Sequence, residues 1–318
     1  MLKTVRLSYA LRLAALLVLM APAALVACSG GAGGCGSNCT VPAFHTPTPT
    51  PIPTPTPSPT PSPSPTPTIS PLSCNQGVGG NNIVLGPALA PFAVLAGSTI
   101  TNVGNTLVTF APGAVTGGIN DDLMGVSPGS AVTGFYPPGT DTDGPNAIYA
   151  AGFNPNAAVP LAAQTALTAA YIAGQNKAAT ATVAGDLGGL TLPAGVYHST
   201  STLSIASGNL TLDGGGNPQS VFIFQVGSSL TTVLNGTIGG NVALQNGASA
   251  CNIYWLMGTN DGVTGSATLG GATFFGNVLS AQSITINATT FTGRALARSA
   301  AVSIPVAGGS TITNPGGS

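Results

Sequence analysis

Short runs of alternating apolar and polar residues, separated by glycine, fill the chain from Cys74 to Ser318. A two-residue period is the pattern of a β-strand with one buried face, and glycine between the runs marks turns. Residues 159–177 differ, because apolar side chains recur there at helical spacing and Pro160 stands near the start, where a missing N–H is tolerated. The pattern predicts many short strands and one long helix.

A sequence repeat predicts how the strands are arranged. Ala267–Leu279 aligns with Ile284–Leu296 at an offset of 17 residues (284 − 267). Leu230–Thr232 fits the same template 37 residues earlier (267 − 230), which we interpret as two coils, and Val302–Ile304 fits it 18 residues later (302 − 284). A repeat of this length with glycine between short strands is typical of stacked coils. We therefore expect a β-solenoid.

The Thr and Ser residues of the repeat are expected to point outward, because the apolar residues beside them take the inward positions of each strand. Stacked coils would place these hydroxyls in ranks, about 4.8 Å from one rung to the next. The first predicted rank consists of Thr211, Thr231, Thr268, Thr285 and Ser303. The second, on an adjacent face, consists of Thr237, Thr273 and Thr290. A third face, where the helix would lie, is built from the apolar strings Val221–Phe224, Ile253–Trp255, Asn277–Leu279 and Arg294–Leu296.

The N-terminal segment predicts export and lipid attachment. Three cationic residues precede the apolar run Leu13–Leu25, as in a secretory signal peptide, and the run leads into Leu-Val-Ala-Cys, which is similar to a bacterial lipobox. Residues 1–27 are therefore predicted to be a lipoprotein signal peptide and Cys28 the acylated N-terminus of the mature chain. The protein would be anchored to the outer membrane or cell surface and would meet the membrane only through this anchor. An ordinary signal peptide with an incidental cysteine is the alternative.

Proline occupies nearly every second position from Thr46 to Pro71, a composition that excludes helix and sheet. Residues 28–73 are predicted to form the anchor and a semi-rigid polyproline II stalk, and residues 74–318 the folded domain. Because an exported chain meets an oxidising environment, a disulfide between Cys74 and Cys251 is expected to fasten the start of the domain to the solenoid. Cys35 and Cys39 would pair locally or stay flexible.

Charge is nearly absent, since charged residues make up 4% of the chain and the net charge is −1. This excludes the electrostatic footprint of a nucleic-acid-binding protein. A solenoid enzyme would need clustered carboxylates or a base beside a cation, but most aspartates stand beside glycine, where turns are the simpler interpretation. The residues considered for such a site are Asp121, Asp122, Asp141, Asp143, Asp186, Asp213, Asp261, Lys177, Arg294, Arg298 and His198.

None of these residues forms a recognisable catalytic motif. Asp141–Gly144 lacks the rest of a calcium loop, and His198 stands alone. Arg294 and Arg298 are expected to satisfy buried carbonyl groups. The sequence therefore predicts no enzyme, no cofactor and no metal site.

Six strings resemble the bacterial and fungal ice-binding proteins, in the order found in that family. They are Phe92–Asn102, Gly125–Phe135, Gly188–Tyr197, Leu210–Thr232, Cys251–Trp255 and Gly293–Ala297. The resemblance implies a mainly β fold, a discontinuous right-handed β-solenoid with one helix along a face, in which the first coils do not lie at one end of the stack. It also implies a monomer whose partner is the surface of an ice crystal. The chain departs from the family at Leu107–Asp122, which we expect to be an insertion at the solenoid end.

Rows of Thr suit ice binding because the methyl group excludes disordered water while the hydroxyl anchors an ordered one. Thr is also a common exposed strand residue, so the pattern alone leaves its role open. The alternative is a cell-surface adhesion or polysaccharide-binding solenoid without ice activity. Such a protein would expose aromatic side chains for stacking on sugars, whereas the one Trp, six Tyr and ten Phe lie mostly in apolar strings.

Overall fold

The computed structural model describes residues 82–111, 122–233, 239–260 and 262–316, which all belong to one compact unit, Pro63–Ser318. Their one α-helix, α1, is Ala158–Gln175, close to the predicted residues 159–177. In chain order the strands are β1 (Phe92–Ala96), β2 (Thr99–Asn102), β3 (Leu107–Phe110), β4 (Leu123–Val126), β5 (Ala131–Thr133), β6 (Thr140–Asp141), β7 (Ile148–Tyr149), β8 (Ala181–Thr182), β9 (Gly185–Asp186), β10 (Thr191–Pro193), β11 (Gly195–Ser199), β12 (Leu203–Ile205), β13 (Leu210–Asp213), β14 (Phe222–Val226), β15 (Leu230–Thr232), β16 (Val242–Gln245), β17 (Ile253–Met257), β18 (Ala267–Leu269), β19 (Thr273–Phe275), β20 (Asn277–Ser280), β21 (Ile284–Ile286), β22 (Thr290–Thr292), β23 (Ala295–Ala297), β24 (Val302–Ile304) and β25 (Thr311–Asn314).

The strands pair in parallel, and each complete coil contributes one strand to each of three sides. The first side is sheet A, in the order β7-β4-β1-β23-β20-β17-β14-β11-β8. The second is sheet B, in the order β5-β2-β24-β21-β18-β15-β12-β9. The third side consists of sheet C, in the order β19-β22-β25-β3-β6, and sheet D, in the order β10-β13-β16, with β16 beside β19. The predicted β-solenoid with one helix is confirmed, and its right-handedness stays a prediction.

The coils are not stacked in chain order. β1 lies between β4 and β23, so the last coils of the chain pack against the first. β7 and β8 lie at opposite ends of sheet A, and the chain between them contains α1. The first strand is therefore internal, as the resemblance implied, while the coil that follows it forms one end of the stack.

Arg294 ties this junction together, as predicted for it. Its Nε donates to Ala90 O at 2.9 Å, its Nη1 to Asn277 Oδ1 at 2.8 Å and its Nη2 to Gly316 O at 3.1 Å. Complete burial lowers the pKa of Arg294 to about 10. The guanidinium thus links the segment before β1 to the C-terminal end of the described chain.

Two apolar layers hold the unit together. Inside the coils, aromatic rings of successive rungs stack on each other, and the Phe224 and Trp255 centroids are 4.0 Å apart. Outside sheet A, α1 packs through Leu167 and Tyr171, and the Tyr171 hydroxyl donates to Met257 O at 2.9 Å. Sheet A is therefore buried on both faces, which confirms that the apolar strings receive the helix. In the described part of the chain, no helix is both long and apolar enough to cross a membrane.

Two predictions about coil length are wrong. Thr231 pairs directly with Thr268, so the 37 residues between them (268 − 231) form one coil rather than two, because the corners of that coil contain long loops. Leu107–Phe110 is not an insertion, because it forms β3 and pairs with β25 and β6. Residues 112–121 of the expected insertion lie outside the described residues.

Candidate functional site

Sheet B carries a central column of outward side chains, because most of its strands have one outward residue between two buried ones. Strand register places these residues on consecutive rungs, and we call them the B column. From one end to the other the B column is Thr133, Thr101, Ser303, Thr285, Thr268, Thr231, Ser204 and Asp186. Neighbouring hydroxyls are close enough to interact, since Thr101 Oγ1 donates to Ser303 Oγ at 3.3 Å.

A second column runs beside the first, two residues earlier in each strand or its approach. This flanking column consists of Ala131, Thr99, Ala301, Ser283, Ser266, Ser229 and Thr202. Ser283 Oγ donates to Ser266 Oγ at 3.2 Å, so hydroxyls also meet between rungs here. The two columns form an array that repeats about every 4.8 Å across the rungs and about every 6.6 Å along each strand.

The array carries no outward charge from Thr133 to Ser204, and the carboxylate that ends it is turned into a loop. Asp186 Oδ1 accepts from the amides of Gly188 and Ala206, and its Oδ2 accepts from the amide of Ser207, each at 2.9 Å. Burial is the largest single effect and raises the pKa of Asp186, but the hydrogen bonds from Gly188, Ser207 and Ala206 together outweigh it and lower this pKa to about 2. The charge is thus held at the end of sheet B by a network of amides.

Sheet C also presents two outward columns. The first contains Thr273, Thr290, Thr311, Leu107 and Thr140. The second contains Phe275, Thr292, Thr313 and Thr109. Between them, Phe274, Phe291, Ile312 and Val108 point into the core. Sheet C therefore bears a smaller Thr array on a side of the coil adjacent to sheet B.

Most of the predicted site residues fall together as expected. Thr231, Thr268, Thr285 and Ser303 share the B column, and Thr273 and Thr290 share one column of sheet C. Thr237 lies outside the described residues.

The placement of Thr211 in the first rank is wrong. Thr211 lies in sheet D, between Thr191 and Ala243, and Ser204 occupies the rung beside Thr231. Leu210–Leu212 has the same alternation as a strand of sheet B, so the sequence pattern does not show whether Thr211 belongs to sheet B or to sheet D. Only the strand register separates the two. Sequence reasoning also missed outward hydroxyls that Thr-x-Thr spacing could have revealed: Thr99, Thr101, Thr292, Thr311 and Thr313.

Sheet D is more polar than sheet C. Asp213 stands on its outward side, where its carboxylate accepts from the Gly215 amide at 2.8 Å, from Asn246 Nδ2 at 2.9 Å and from Gln245 Nε2 at 3.0 Å. The hydrogen bonds from Gly215, Asn246 and Gln245 lower the pKa of the Asp213 carboxyl. Asp186 and Asp213 thus confirm the interpretation of glycine-flanked aspartates as turn residues.

Asp122 and Asp141 do not stand beside glycine, and they are buried, at 0% and 5% exposed. Asp141 is paired with the inward residue Val108, and Asp122 Oδ2 accepts from the Thr142 hydroxyl. Asp122 Oδ1 and Asp141 Oδ2 have no hydrogen-bond partner. Burial raises the pKa of both carboxyls, and the charges of Asp143 on Asp122 and of Asp122 on Asp141 raise them further. The described residues contain no group of three or more His, Cys, Asp or Glu arranged to hold a metal ion.

The three remaining residues of the sequence analysis, His198, Arg298 and Cys251, make contacts within the fold. His198 Nδ1 lies 3.3 Å from Gln225 Oε1, near the C-terminal end of α1. The guanidinium of Arg298 lies over the Tyr171 ring at 4.7 Å, and its Nε and Nη1 have no hydrogen-bond partner, so these two nitrogens satisfy no carbonyl. Cys251 is disulfide-bonded, and the other four cysteines lie outside the described residues, so its pairing with Cys74 stays a prediction.

These features define a class of protein: a β-solenoid that presents uncharged columns of hydroxyl side chains on two sides, with no catalytic group assembled on these columns among the described residues. Residues 94–308 match the family model described as Ice-binding-like. The chain therefore belongs to the ice-binding-like family.

Individual relatives agree with this assignment. An ice-binding protein from Nostoc sp. (strain HG1) is 36% identical over 217 residues, which are 67% of this chain and 68% of that protein. Ice-binding protein 1 from Shewanella frigidimarina (strain NCIMB 400) is 46% identical over 87 residues, which are 26% of this chain and only 9% of that protein.

Solved structures share the fold. The crystal structure of an ice-binding protein from an Antarctic biological consortium superposes with a TM-score of 0.58 at 36% identity, covering 73% of this chain and 90% of that one. The ice-binding protein of the Antarctic ascomycete Antarctomyces psychrotrophicus gives a TM-score of 0.55 at 31% identity, covering 73% and 97%.

Proposed function

We propose that this protein binds ice, without catalysis, through the B column and its flanking column. The observation that carries the proposal is the register of sheet B, which aligns seven hydroxyl side chains from Thr133 to Ser204 on consecutive rungs. Parallel pairing and a packed interior fix the positions of these side chains. A β-branched Thr adds stiffness at χ1, which favours one arrangement of its methyl and hydroxyl groups.

A face of this kind distinguishes ice from liquid water by the order of the water it holds. Each hydroxyl anchors a water molecule at a repeating position, while the methyl groups exclude waters that would not fit the lattice. A charged side chain would orient nearby water around itself and disturb this order. The confinement of the Asp186 carboxylate to the end of sheet B therefore supports the proposal.

The interior position of most aromatic side chains in the described chain argues against polysaccharide binding. Sugar-binding surfaces use exposed aromatic faces, but Trp255, Phe224, Phe274 and Phe291 are buried inside the coils. Ice binding is thus favoured over a carbohydrate-binding solenoid.

The test is Thr285→Tyr in the middle of the B column. A bulky side chain there would hold the neighbouring hydroxyls of Thr268 and Ser303 away from an ice surface, so we expect thermal hysteresis and partitioning into ice to fall several-fold. The matched control is Thr165→Tyr, which places the same substitution at an exposed position of α1. Outward substitutions usually change stability by at most about 0.5 kcal/mol, so thermal melting separates loss of activity from loss of fold. A folded Thr285→Tyr variant as active as the parent would exclude sheet B.

We further propose that the protein acts as a monomer at the cell surface, anchored by an acylated Cys28 and held away from the membrane by the proline-rich stalk. The position of the first described segment supports this proposal, because Ile83, Leu85 and Leu89 pack beside α1, on the side of sheet A. The first described residues therefore lie on the side of sheet A. A disulfide between Cys74 and Cys251 would fasten the start of the domain to the solenoid.

Mass spectrometry of the protein from its native membrane tests the anchor. We expect a mature chain that begins at Cys28 and carries acyl groups. A mature chain that begins elsewhere and is freely soluble would contradict the anchoring proposal without affecting the proposal for sheet B.

A further inference from the structure

We infer that Asp122 and Asp141 form a proton-dependent clasp at one end of the solenoid. The clasp holds residues 134–149 closed while the pair keeps a proton, and it releases them when both carboxyls are ionised. We call residues 134–149 the end segment, which contains β6 and β7. Its release would leave the other coils folded, so that pH would control the conformation of one end of the stack.

The pair joins the two ends of one coil. Asp122 directly precedes β4, the first strand of this coil, and Asp141 lies in β6, the last. Sheets A, B and C contribute β4, β5 and β6 to the coil in turn. Contact between the two carboxyls therefore ties the end of the coil to its start.

The end segment is joined to the solenoid by short strand pairings. β6 and β7 are edge strands with one neighbour each, and each pairs over two residues, β6 with β3 and β7 with β4. By contrast, β17 pairs over five residues with β14 and over four with β20. Short edge pairings open locally at a lower free energy than central strands. The buried side chains of Phe135 and Ile148 also hold the segment, so it stays closed while the clasp is intact.

The carboxyls are placed so that one proton satisfies both of them. Both side chains are buried, and Asp122 Oδ1 and Asp141 Oδ2 have no hydrogen-bond partner among the described residues. Their other oxygens are already used, since Asp122 Oδ2 accepts from the Thr142 hydroxyl and Asp141 Oδ1 accepts from the Asp143 amide at 2.9 Å. A proton on one carboxyl would let it donate to the other. Without that proton, two buried carboxylates would repel each other.

The surroundings of the pair do not favour its ionisation. Burial is the largest effect and raises the pKa of Asp122 to about 6 and that of Asp141 to about 8, and the charge of Asp143 raises both further. None of the described groups that act most strongly on the two carboxyls is cationic. The Tyr136 hydroxyl donates to Asp141 O at 2.6 Å, and burial raises its pKa, so it stays protonated while the pair titrates.

Proton linkage gives the size of the effect. When the end segment opens, both carboxyls meet water and return towards their ordinary pKa of 3.8. Between about pH 6 and about pH 8 the closed state therefore keeps one proton that the open state has lost, and the population of the open state should rise about tenfold per pH unit. We expect about 100-fold more opening at the upper end of this range than at the lower end.

Hydrogen exchange of the full-length protein, measured by mass spectrometry at about pH 6 and about pH 8 and corrected for the intrinsic pH dependence of exchange, tests the clasp. Peptides from residues 134–149 report on the end segment, and peptides from β17 report on the interior of the stack. Asp141→Asn keeps the acceptor for the Asp143 amide and can donate to Asp122 at every pH. Asp186→Asn, at the opposite end of sheet B, is the matched control. Thermal melting checks each fold.

We expect the protection of the end segment to fall about 100-fold over this range in the parent and in Asp186→Asn, and to change far less in Asp141→Asn. At both pH values the end segment should be less protected than β17. If Asp141→Asn does not fold, Asp143→Asn at an exposed position replaces it, and should lower the pH at which protection stops falling. The inference is overturned if the protection of the end segment does not change with pH, or if the folded variant keeps the pH dependence of the parent. Equal protection of the end segment and β17 would also overturn it, because the two would then open together rather than at a local clasp.

Discussion

Replacing Asp141 with Asn is expected to stabilise the protein above about pH 6, because the parent buries two carboxyls close to each other and the ionisation of both is unfavourable there. Asp122 Oδ1 and Asp141 Oδ2 lack hydrogen-bond partners, and the two groups interact directly. The other titratable groups around them are Asp143 and the Tyr136 hydroxyl, which donates to Asp141 O at 2.6 Å. An Asn side chain at this position keeps the Oδ1 that accepts from the Asp143 amide and supplies an N–H for Asp122.

The sign of the effect follows from proton linkage. Burial raises the pKa of Asp122 from 3.8 to about 6 and that of Asp141 from 3.8 to about 8. Above pH 3.8 the unfolded chain has lost these protons while the folded chain keeps them, so the folded state binds more protons and its stability falls as pH rises. Each carboxyl that is still protonated contributes about 1.4 kcal/mol per pH unit to this fall. The free energy of unfolding should thus decrease by several kcal/mol between about pH 5 and about pH 8.

Asp186 and Asp213, the aspartates of sheets B and D, do not affect the predicted change in stability between about pH 5 and about pH 8. The pKa values of Asp186 and Asp213 are lowered, so their contribution is lost only as pH falls below the ordinary carboxyl range. Chemical denaturation at several pH values measures the free energy of unfolding for the parent and for Asp141→Asn. We expect a flatter pH dependence in the variant and higher stability than the parent at about pH 8. Asp186→Asn is the control with the opposite sign, because it loses a hydrogen-bonded carboxylate. A parent whose stability does not change between the two pH values would refute the reasoning.

Two further predictions concern the interior and the entry of the chain. Trp255→Ala removes the centre of the aromatic stack between Phe224 and Phe274, at 4.0 and 5.4 Å, and should cost about 3–5 kcal/mol in chemical denaturation. Trp255→Phe, which keeps a ring in the stack, should cost less, and equal losses would show that stacking is not the cause. Peptide mapping without reduction should find Cys251 linked to Cys74, and linkage to Cys35 or Cys39 would overturn that pairing.

Local patterns predicted most of the secondary structure and the faces, because each depends on neighbouring residues. The alternation around Thr268 and Thr285 is enough to distinguish inward from outward positions. The helical spacing of Leu167 and Tyr171 is enough to identify the buried side of α1. A regular repeat of 17 residues also occurs where the corners are short, as between β18 and β21. These features need no knowledge of the remainder of the fold.

The register of distant strands could not be predicted in the same way. The coil from Thr231 to Thr268 looks like two because its extra residues lie in corner loops, and the pattern does not separate loops from strands of the third side. Thr211 was misplaced for the same reason. The inward position of Asp141 was not predicted, because a polar residue at an inward position breaks the alternation that identifies a strand. The closure of β23 against β1 joins residues about 200 positions apart, which no local pattern can indicate.

The low charge of the chain follows from what the three sides of the coil require. Sheet A is covered by α1, so both of its faces must be apolar. Sheets B and C are open, and Thr and Ser at their outward positions provide solubility without charge. Charged residues of the described chain lie off these columns or at their end: Asp186 on the last strand of sheet B, Arg294 at the coil junction and Arg298 over Tyr171. A soluble solenoid could place lysine and glutamate on sheets B and C at little cost to stability, because outward positions tolerate substitution. Their absence from both faces is thus not required by folding. It fits ordered water as the ligand, because a charged side chain would orient nearby water around itself and disturb that order.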